Sequence, residues 1–346
     1  MPSGSGGFSA SVVCLQQGRE TLPTFSIHDR KRMKIEFSIR LLLLVLLAFL
    51  IDRCAPEKPE TTTKGHLHVL IAESVAPVIV AEVNEFLSIY AKNGANITYS
   101  IVSSNEAIES FVIDTIRCII VTRPLTTEER RQVLQHETDI SEILLAYDGL
   151  AGVVHYKNPV EQITTTELRE ILSGKMKRWE QLSKAKGANG PISVVVQDSS
   201  DVTMFLGTRL LHGQPIRSPI LRAASSLLTL RTLAGRPQAI GFVGIDWIDS
   251  GRVPAKVLEV AELDAKADTT FPPPIESVGK FYTPHPAHIY RSYYPMKRAI
   301  YFYAKARPGT LVNGFGSYVA NKDGQRLFLK RNLVPGTQPI RLRVPE

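Results

Sequence analysis

Two stretches of the chain share one pattern, in which an apolar run ends in polar turn residues and continues as an amphipathic segment. The run Ile192–Val196 is short and rich in β-branched residues, which predicts a buried strand. Polar residues occupy 197–201, and apolar residues then recur at helical spacing over 202–210. The stretch 67–87 has the same order, with Ser74 in its turn. Each stretch therefore predicts a strand, a turn and a helix start that carries a hydroxyl group.

A helix start has unpaired backbone N–H groups and a partial positive charge, so it favours an anion. Two such starts in one chain are candidates for a shared anion site. The alternative interpretation is structural, since Ser199 or Ser200 can simply cap the helix that follows.

Strands and helices alternate with short connections along most of the chain, which is typical of an α/β fold with mostly parallel sheets. Capping-box patterns at Thr126-x-x-Glu129 and Thr164-x-x-Glu167 predict two further helix starts. Two separate strands are expected on either side of Asp148-Gly149, and 262–289 is predicted to be an irregular surface segment. Further strands are predicted at 97–102, 116–121, 239–247 and 299–304, a short helix at 105–110, and a helical region over 311–330.

The N-terminal part has the pattern of a targeting segment. From Met33 a short basic stretch leads into the eleven apolar residues 41–51, too few for a membrane span, which needs about 20. Cys54 follows and is the predicted lipid-attachment residue, with a signal-anchor or a conventionally cleaved signal peptide as alternatives. Residues 33–54 are thus predicted to be a signal peptide, 1–32 a non-native upstream extension or disordered, and 55–64 a polar linker.

Composition narrows the function classes. The chain has 346 residues with 44% hydrophobic and 21% charged residues, as in a soluble globular protein. The formal charge of +8 is scattered, without a basic run interleaved with aromatic residues, so no nucleic-acid partner is expected. Cys118 lies in an apolar run and is expected to be a buried, inert thiol. His66-x-His68 is expected to be a solvated edge pair, and no metal site, cofactor or catalytic triad is predicted.

Four segments carry a family resemblance, and they occur in the family's order between residues 66 and 340. They are ITTTELREILSGKMKRWEQL at 163–182, AIGFVG at 239–244, YPMKRAIYFY at 294–303 and NGFGSYVANKDGQRLFLKRNLVP at 313–335. Together they resemble the bacterial phosphate ABC transporter substrate-binding protein family, which has the type II periplasmic binding-protein fold. The resemblance implies two α/β lobes that clamp a ligand between them. Lobe one is expected at 65–150 plus 296–346 and lobe two at 151–295, with crossings near 148–155 and 293–300.

The resemblance also implies which residues bind phosphate. Carried over onto this sequence, the ligand-binding positions are Ser74, Val75, Arg123, Ser199, Ser200 and Thr203. Three features depart from the family pattern: Glu73 beside the first loop, Asp201 in the second-lobe cluster, and Arg123 where an acidic residue is usual. An ionised carboxylate about 4 Å from a bound phosphate would repel it by roughly 1 kcal/mol in water, and by more when shielded. Arg123 can alternatively be a surface residue at a helix start.

The sequence therefore predicts a monomeric, lipid-anchored solute-binding protein on the periplasmic or cell-surface side of a membrane. It would capture phosphate or a related small oxyanion, deliver it to an ABC permease, and perform no chemistry on it. The alternative hypothesis is a receptor or interaction module at the membrane surface, with altered or lost phosphate binding, which Glu73 and Asp201 favour.

Overall fold

The computed structural model describes residues 59–136, 139–305 and 307–338, without the side chain of His136. The described residues belong to one unit, Pro59–Glu346. The predicted upstream extension, the signal segment and Cys54 lie outside the described residues, as does the linker up to residue 58.

The described elements alternate along the chain as expected for an α/β protein. The strands are β1 (Gly65–Ala72), β2 (Ala95–Val102), β3 (Cys118–Val121), β4 (Ser141–His155), β5 (Gln162–Thr164), β6 (Ser193–Val196), β7 (Ile220–Arg222), β8 (Ala239–Gly244), β9 (Ala255–Val257), β10 (Glu259–Ala261), β11 (Lys297–Ala304) and β12 (Val334–Pro335). The helices are α1 (Ala76–Tyr90), α2 (Ser104–Val112), α3 (Thr127–His136), α4 (Thr165–Leu172), α5 (Asp201–Arg209), α6 (Ser226–Ala234), α7 (Ile245–Ser250), α8 (Pro286–Tyr290), α9 (Leu311–Ala320) and α10 (Lys322–Lys330).

One long strand connects two halves of the main sheet. The strand order is β2-β1-β3-β11-β4-β8-β6-β7, and β4 pairs with β11 up to Gly149 and with β8 from Leu150 onward. We call the β2, β1, β3, β11 side lobe one and the β8, β6, β7 side lobe two. Strands β1, β2 and β3 are parallel in lobe one, as are β6, β7 and β8 in lobe two. The antiparallel pairs of the main path involve the connecting strands β11 and β4.

The prediction of two strands around Asp148-Gly149 is wrong, because β4 runs through these residues without a break. Asp148 lies directly opposite Arg298 of β11, and its carboxylate forms an ion pair with that arginine within the sheet. The residue therefore does not mark a turn. Gly149 is needed for close packing, since a Cβ there would lie 2.9 Å from both Ile289 and Pro284. Asp148 is therefore explained by its ion pair with Arg298, and Gly149 by its close contact with Ile289 and Pro284.

Each lobe has its own hydrophobic core. In lobe one, α1 buries Val78, Ile79, Val83 and Phe86 at helical spacing, and the Phe86 ring meets Phe315 edge-on at 5.5 Å. Burying one such side chain stabilises the fold by about 1.5–3 kcal/mol. Among the described residues, the segment Glu73–Asn93 is long and apolar enough to cross a membrane by length and composition. Its apolar face packs in the lobe-one core, as in a core helix.

The core of lobe two surrounds a tryptophan. Trp179 is fully buried and packs among aliphatic residues of α4, β6 and β8. The predicted capping box at the start of α4 is confirmed, because the Thr164 hydroxyl accepts from the Glu167 N–H while the Glu167 carboxylate accepts from the Thr164 N–H. The predicted helical region at the C-terminal end is two helices, since Asn321 ends α9 and caps α10.

Candidate functional site

The turn after β1 presents a buried hydroxyl group to the other lobe. Glu73–Val75 form a single 3-10 turn before α1, and Ser74 is only 1% exposed. The Ser74 hydroxyl donates a hydrogen bond to Oδ2 of Asp201, with 3.2 Å between the oxygens. The side chain of Val75 packs in the lobe-one core. The turn therefore offers the hydroxyl of Ser74 at the boundary between the lobes.

Asp201 is an anion from lobe two that lies at a helix start of lobe one. It is the first residue of α5, is 5% exposed, and its Oδ1 accepts from the backbone N–H of Ser104 at 2.6 Å. Ser104 is the first residue of α2, where N–H groups have no partner within the helix and a negative charge is favoured. The turn after β1 and the turn before α5 are therefore in contact, and the contact is made by Asp201 and not by Ser199.

A buried arginine adds positive charge beside this carboxylate. Arg298 of β11 is 2% exposed, and its Nε and Nη2 donate to Oδ2 of Asp148 at 2.8 and 2.6 Å. Its Nη1 donates to the Ser74 hydroxyl at 3.1 Å, so the hydroxyl links Arg298 to Asp201. Burial raises the pKa of the Asp148 carboxyl, and the Arg298 guanidinium opposes that rise. We call Ser74, Ser104, Asp201 and Arg298 the anion cluster.

The last residue of β8 leaves room for the cluster. A Cβ on Gly244 would lie 2.4 Å from the Ser74 carbonyl oxygen and 2.9 Å from Nη2 of Arg298. The segment AIGFVG therefore ends in glycine because the turn after β1 and the arginine approach the backbone at this point.

A second carboxylate crosses between the lobes in the opposite direction. Glu73 of lobe one accepts from the backbone N–H and the hydroxyl of Ser226, both at 2.8 Å, at the start of α6 in lobe two. The indole N–H of Trp247 in α7 donates to the Glu73 carbonyl at 3.1 Å. Burial raises the pKa of Glu73, and the hydrogen bonds from Ser226 oppose that rise. Each lobe thus supplies a carboxylate to a helix start of the other.

The hydroxyl groups predicted in lobe two bond within their own turn. The Ser200 hydroxyl caps α5 by accepting from the Thr203 N–H at 3.2 Å, and it donates to the Gln197 carbonyl at 3.0 Å. The Thr203 hydroxyl donates to the same carbonyl at 2.6 Å. Ser199 is exposed and has a left-handed backbone with φ of 53°. The structure therefore brings Asp201 of this turn, and none of these three hydroxyls, into hydrogen bonds with the lobe-one residues of the anion cluster.

Arg123 lines the space between the lobes and is bound by neighbouring side chains. Its guanidinium pairs with Glu129 at 2.7 Å and donates to Oδ1 of Asn105 at 3.0 and 3.1 Å. Arg123 and the hydrogen bonds from Thr126 hold the pKa of Glu129 at about 2. The capping box at Thr126 and Glu129 is confirmed, with bonds of 2.8 and 3.2 Å. Arg123 is therefore near the cleft with most of its donors in use.

A cavity of about 480 Å³ lies between the lobes next to the anion cluster. Ser104, Asp201 and Arg298 belong to its wall, together with Arg123. Met204 and Phe205 from α5, Phe271 from the irregular segment, and Lys297 and Tyr301 from β11 form much of the remainder.

The sequence interpretation did not include Ser104 and Arg298 in the site. Arg298 is one of two basic residues in a strand that is otherwise apolar, and a buried charge of this kind requires a partner. Ser104 follows Ser103, whose hydroxyl caps α2, so the helix start itself could be found from the sequence. Their contact with Asp201 depends on tertiary structure.

His66 and His68 are exposed as expected, but their predicted position at a sheet edge is wrong, because β1 lies between β2 and β3. The rings of His66 and His68 bond to side chains of β2, namely Asn96, Thr98 and Ser100. Within the described ranges, no group of three or more His, Cys, Asp or Glu residues is arranged to hold a metal ion. Cys118 is buried on β3, and burial raises the pKa of its thiol, as expected for an inert residue.

Comparison with known proteins identifies the class first. The sequence matches the family described as PBP superfamily domain over residues 56–323, which is more than half of the chain. The chain therefore belongs to the PBP superfamily, and the predicted two-lobed fold of this class is confirmed.

Particular relatives agree with the predicted resemblance. The phosphate-binding protein PstS of Staphylococcus epidermidis is 23% identical over 259 residues, which cover 73% of this chain and 74% of that protein. A Clostridium perfringens protein solved with bound phosphate has a TM-score of 0.62 at 20% identity and covers 78% of this chain and 99% of that one. An ABC-type phosphate transport receptor of Vibrio cholerae has a TM-score of 0.57 at 19% identity, with coverage of 78% and 99%. These structural likenesses establish the fold.

Proposed function

We propose that this protein is an extracytoplasmic solute-binding protein that captures phosphate or a related small oxyanion between its lobes for delivery to an ABC permease. Its family and the names of its relatives support this function. The anion cluster supplies the chemistry of recognition, and ligand binding requires no cofactor.

The single observation that carries the proposal is the carboxylate of Asp201 within the anion cluster. Its two oxygens accept from the N–H of Ser104 and the hydroxyl of Ser74, and the Arg298 guanidinium is bonded to that same hydroxyl. A helix start, a hydroxyl and a guanidinium are donors that also suit a phosphate oxygen. These lobe-one donors already bind the carboxylate of Asp201, and we propose that a phosphate ion binds to them in place of that carboxylate.

The ligand must then exchange with Asp201. A phosphate dianion has more charge and more acceptor oxygens than one carboxylate, so it gains more from the same donors. Asp201 lies on lobe two and the donors lie on lobe one, so a separation of the lobes frees them. We propose that the other family positions, the backbone of Val75 and the side chains of Arg123, Ser199, Ser200 and Thr203, complete the ligand shell after this exchange.

The test is calorimetric titration of the wild type and Asp201→Thr with phosphate, sulfate and small carboxylates. Hydrogen bonds to a charged group contribute about 1.5–3 kcal/mol, so removal of the internal competitor should tighten phosphate binding roughly 10–100-fold. Asp198→Asn is the matched control, because Asp198 lies in the same turn but is exposed and paired with Arg222. Absence of phosphate binding at millimolar concentration in both the wild type and Asp201→Thr would refute the proposal.

A second candidate function is a receptor or interaction module at the membrane surface with altered or lost phosphate binding. The position of Asp201 on the donors favours it, because the protein itself satisfies them. Two results of the titration separate the functions. Phosphate binding by the wild type supports transport, whereas binding gained only in Asp201→Thr indicates a site that has lost its ligand.

We also propose that Cys54 carries the lipid that anchors the protein to the membrane. The apolar run 41–51 followed by this cysteine supports the anchor. Substitution Cys54→Ala should release the protein into the soluble extracytoplasmic fraction, and mass spectrometry of the N-terminal peptide should find lipid on the wild type only. Equal membrane retention of both forms would contradict the lipid anchor.

A further inference from the structure

The cavity next to the anion cluster is larger than one small oxyanion requires. Its volume is about 480 Å³, within the range of roughly 300–1,000 Å³ that is typical of sites for organic ligands. The walls come from both lobes, so closure of the lobes would enclose an occupant. The wall also contains groups that the proposed phosphate site does not use.

Lys297 is the most unusual of these groups. It is 6% exposed, and its ammonium lies 4.2 Å from the centre of the Tyr147 ring and 4.8 Å from that of Phe271. Its hydrogen bond, 3.2 Å long, goes to the neutral hydroxyl of Ser292. No carboxylate of the described residues forms an ion pair with it, and Asp268, whose charge favours the ammonium, is paired with Arg209.

The other buried basic residues of the cavity wall differ in this respect. Arg209 pairs with Glu262 at 2.7 Å as well as with Asp268 at 3.0 Å, and Arg298 pairs with Asp148 at 2.6 Å. A buried charge is unfavourable unless an opposite charge and hydrogen bonds compensate it. Burial accordingly lowers the pKa of Lys297 to about 8. The ammonium of Lys297 contacts the rings of Tyr147 and Phe271, and among the described residues it lacks the carboxylate partner that Arg209 and Arg298 have.

Apolar and aromatic side chains surround the same space. Met204 and Phe205 line it from α5, Phe271 from the segment after β10, and Tyr301 from β11. Such surfaces bind the body of an organic ligand and give little to a fully hydrated inorganic ion. A buried cation within an aromatic wall suits a molecule with an anionic end and an apolar remainder.

We propose that this cavity binds an organic anion, with its phosphate or carboxylate group on Lys297 and its aromatic or apolar body against Phe205, Phe271 and Tyr301. The inference goes beyond the proposed capture of inorganic phosphate, since it uses Lys297 and leaves Asp201 on its donors. The two proposals therefore depend on different residues and can be tested separately.

The experiment is calorimetric titration of the full chain with phenyl phosphate, benzoate, benzyl alcohol and inorganic phosphate. Phenyl phosphate or benzoate should bind at up to millimolar concentration, and benzyl alcohol should not. Lys297→Gln should weaken the binding at least tenfold, whereas Lys175→Gln, a change at an exposed lysine outside the cavity wall, should alter it less than twofold. The two aromatic probes distinguish a phosphate group from a carboxylate group.

A second variant keeps the test decisive if Lys297→Gln folds poorly. Thr208 is an exposed residue of the cavity wall on α5, and Thr208→Trp should obstruct the space and weaken both aromatic anions at least tenfold without removing a buried charge. Equal binding by wild type, Lys297→Gln and Thr208→Trp, or no binding of either aromatic anion, would overturn the inference. Binding of inorganic phosphate that depends on Asp201 and is unaffected by Lys297→Gln reports on the proposed function alone.

Discussion

The buried carboxyl group of Glu82 leads to a strong pH dependence of stability. Glu82 lies on α1 with 0% exposure, and neither of its carboxyl oxygens has a hydrogen-bond partner among the described residues. Burial, with a smaller effect from the charge of Glu85, raises its pKa from 4.5 to about 9. The folded protein therefore keeps a proton on Glu82 that the unfolded chain loses above pH 4.5, so the stability falls as the pH rises between these two values.

The magnitude follows from the size of the shift. Each pH unit between the two pKa values lowers the free energy of unfolding by about 1.4 kcal/mol. Glutamine has nearly the same shape and does not titrate, so Glu82→Gln removes this loss. We expect the stability of the variant relative to the wild type to increase by about 3 kcal/mol between pH 5 and pH 7.5.

Urea unfolding at both pH values, followed by circular dichroism, measures this difference. Glu109→Gln is the matched control, because Glu109 is an exposed glutamate on α2. Any constant effect of placing an amide in the core cancels when the two pH values are compared. A difference between Glu82→Gln and wild type that is the same at pH 5 and pH 7.5, within about 0.5 kcal/mol, would refute the reasoning.

Two further predictions concern the contacts around the anion cluster. Asp148→Asn removes the charged partner of the buried Arg298 guanidinium and should lower the free energy of unfolding by about 3–5 kcal/mol. The double variant Asp148→Asn with Arg298→Met should recover part of this loss in thermal unfolding. Absence of any recovery would contradict the ion-pair explanation. Glu73→Gln keeps an acceptor for Ser226 but does not titrate, and because burial raises the pKa of Glu73 in the folded protein, the variant should gain stability relative to the wild type as the pH rises from 4.5 to 7 in urea unfolding; a relative loss over that range would contradict the sign of the pKa shift.

Much of the fold could be predicted because local periodicity is visible in the sequence. The strand, turn and helix after residue 192 are observed as β6 and α5, and the predicted capping box at Thr164 is present. The break expected at Asp148 was wrong because a polar residue followed by glycine is also typical of a turn. Only the neighbouring strand shows that Arg298 compensates the carboxylate.

The anion cluster depends on contacts that local sequence does not specify. Asp201 meets Ser104 across 97 residues of chain and Ser74 across 127. The sequence predicts that Asp201 is a repulsive neighbour of the ligand. It could not show that the same carboxylate bonds to the donors themselves, because the closure of one lobe on the other determines that contact.

In the proposed function, the carboxylate of Asp201 makes anion uptake an exchange reaction with a competitor on the same chain. A group on the same chain acts at an effective concentration set by geometry, in the millimolar range for many flexible tethers, and dilution does not reduce it. Under this proposal, selectivity for strongly charged solutes depends on the carboxylate that they must displace as well as on the donors that they contact.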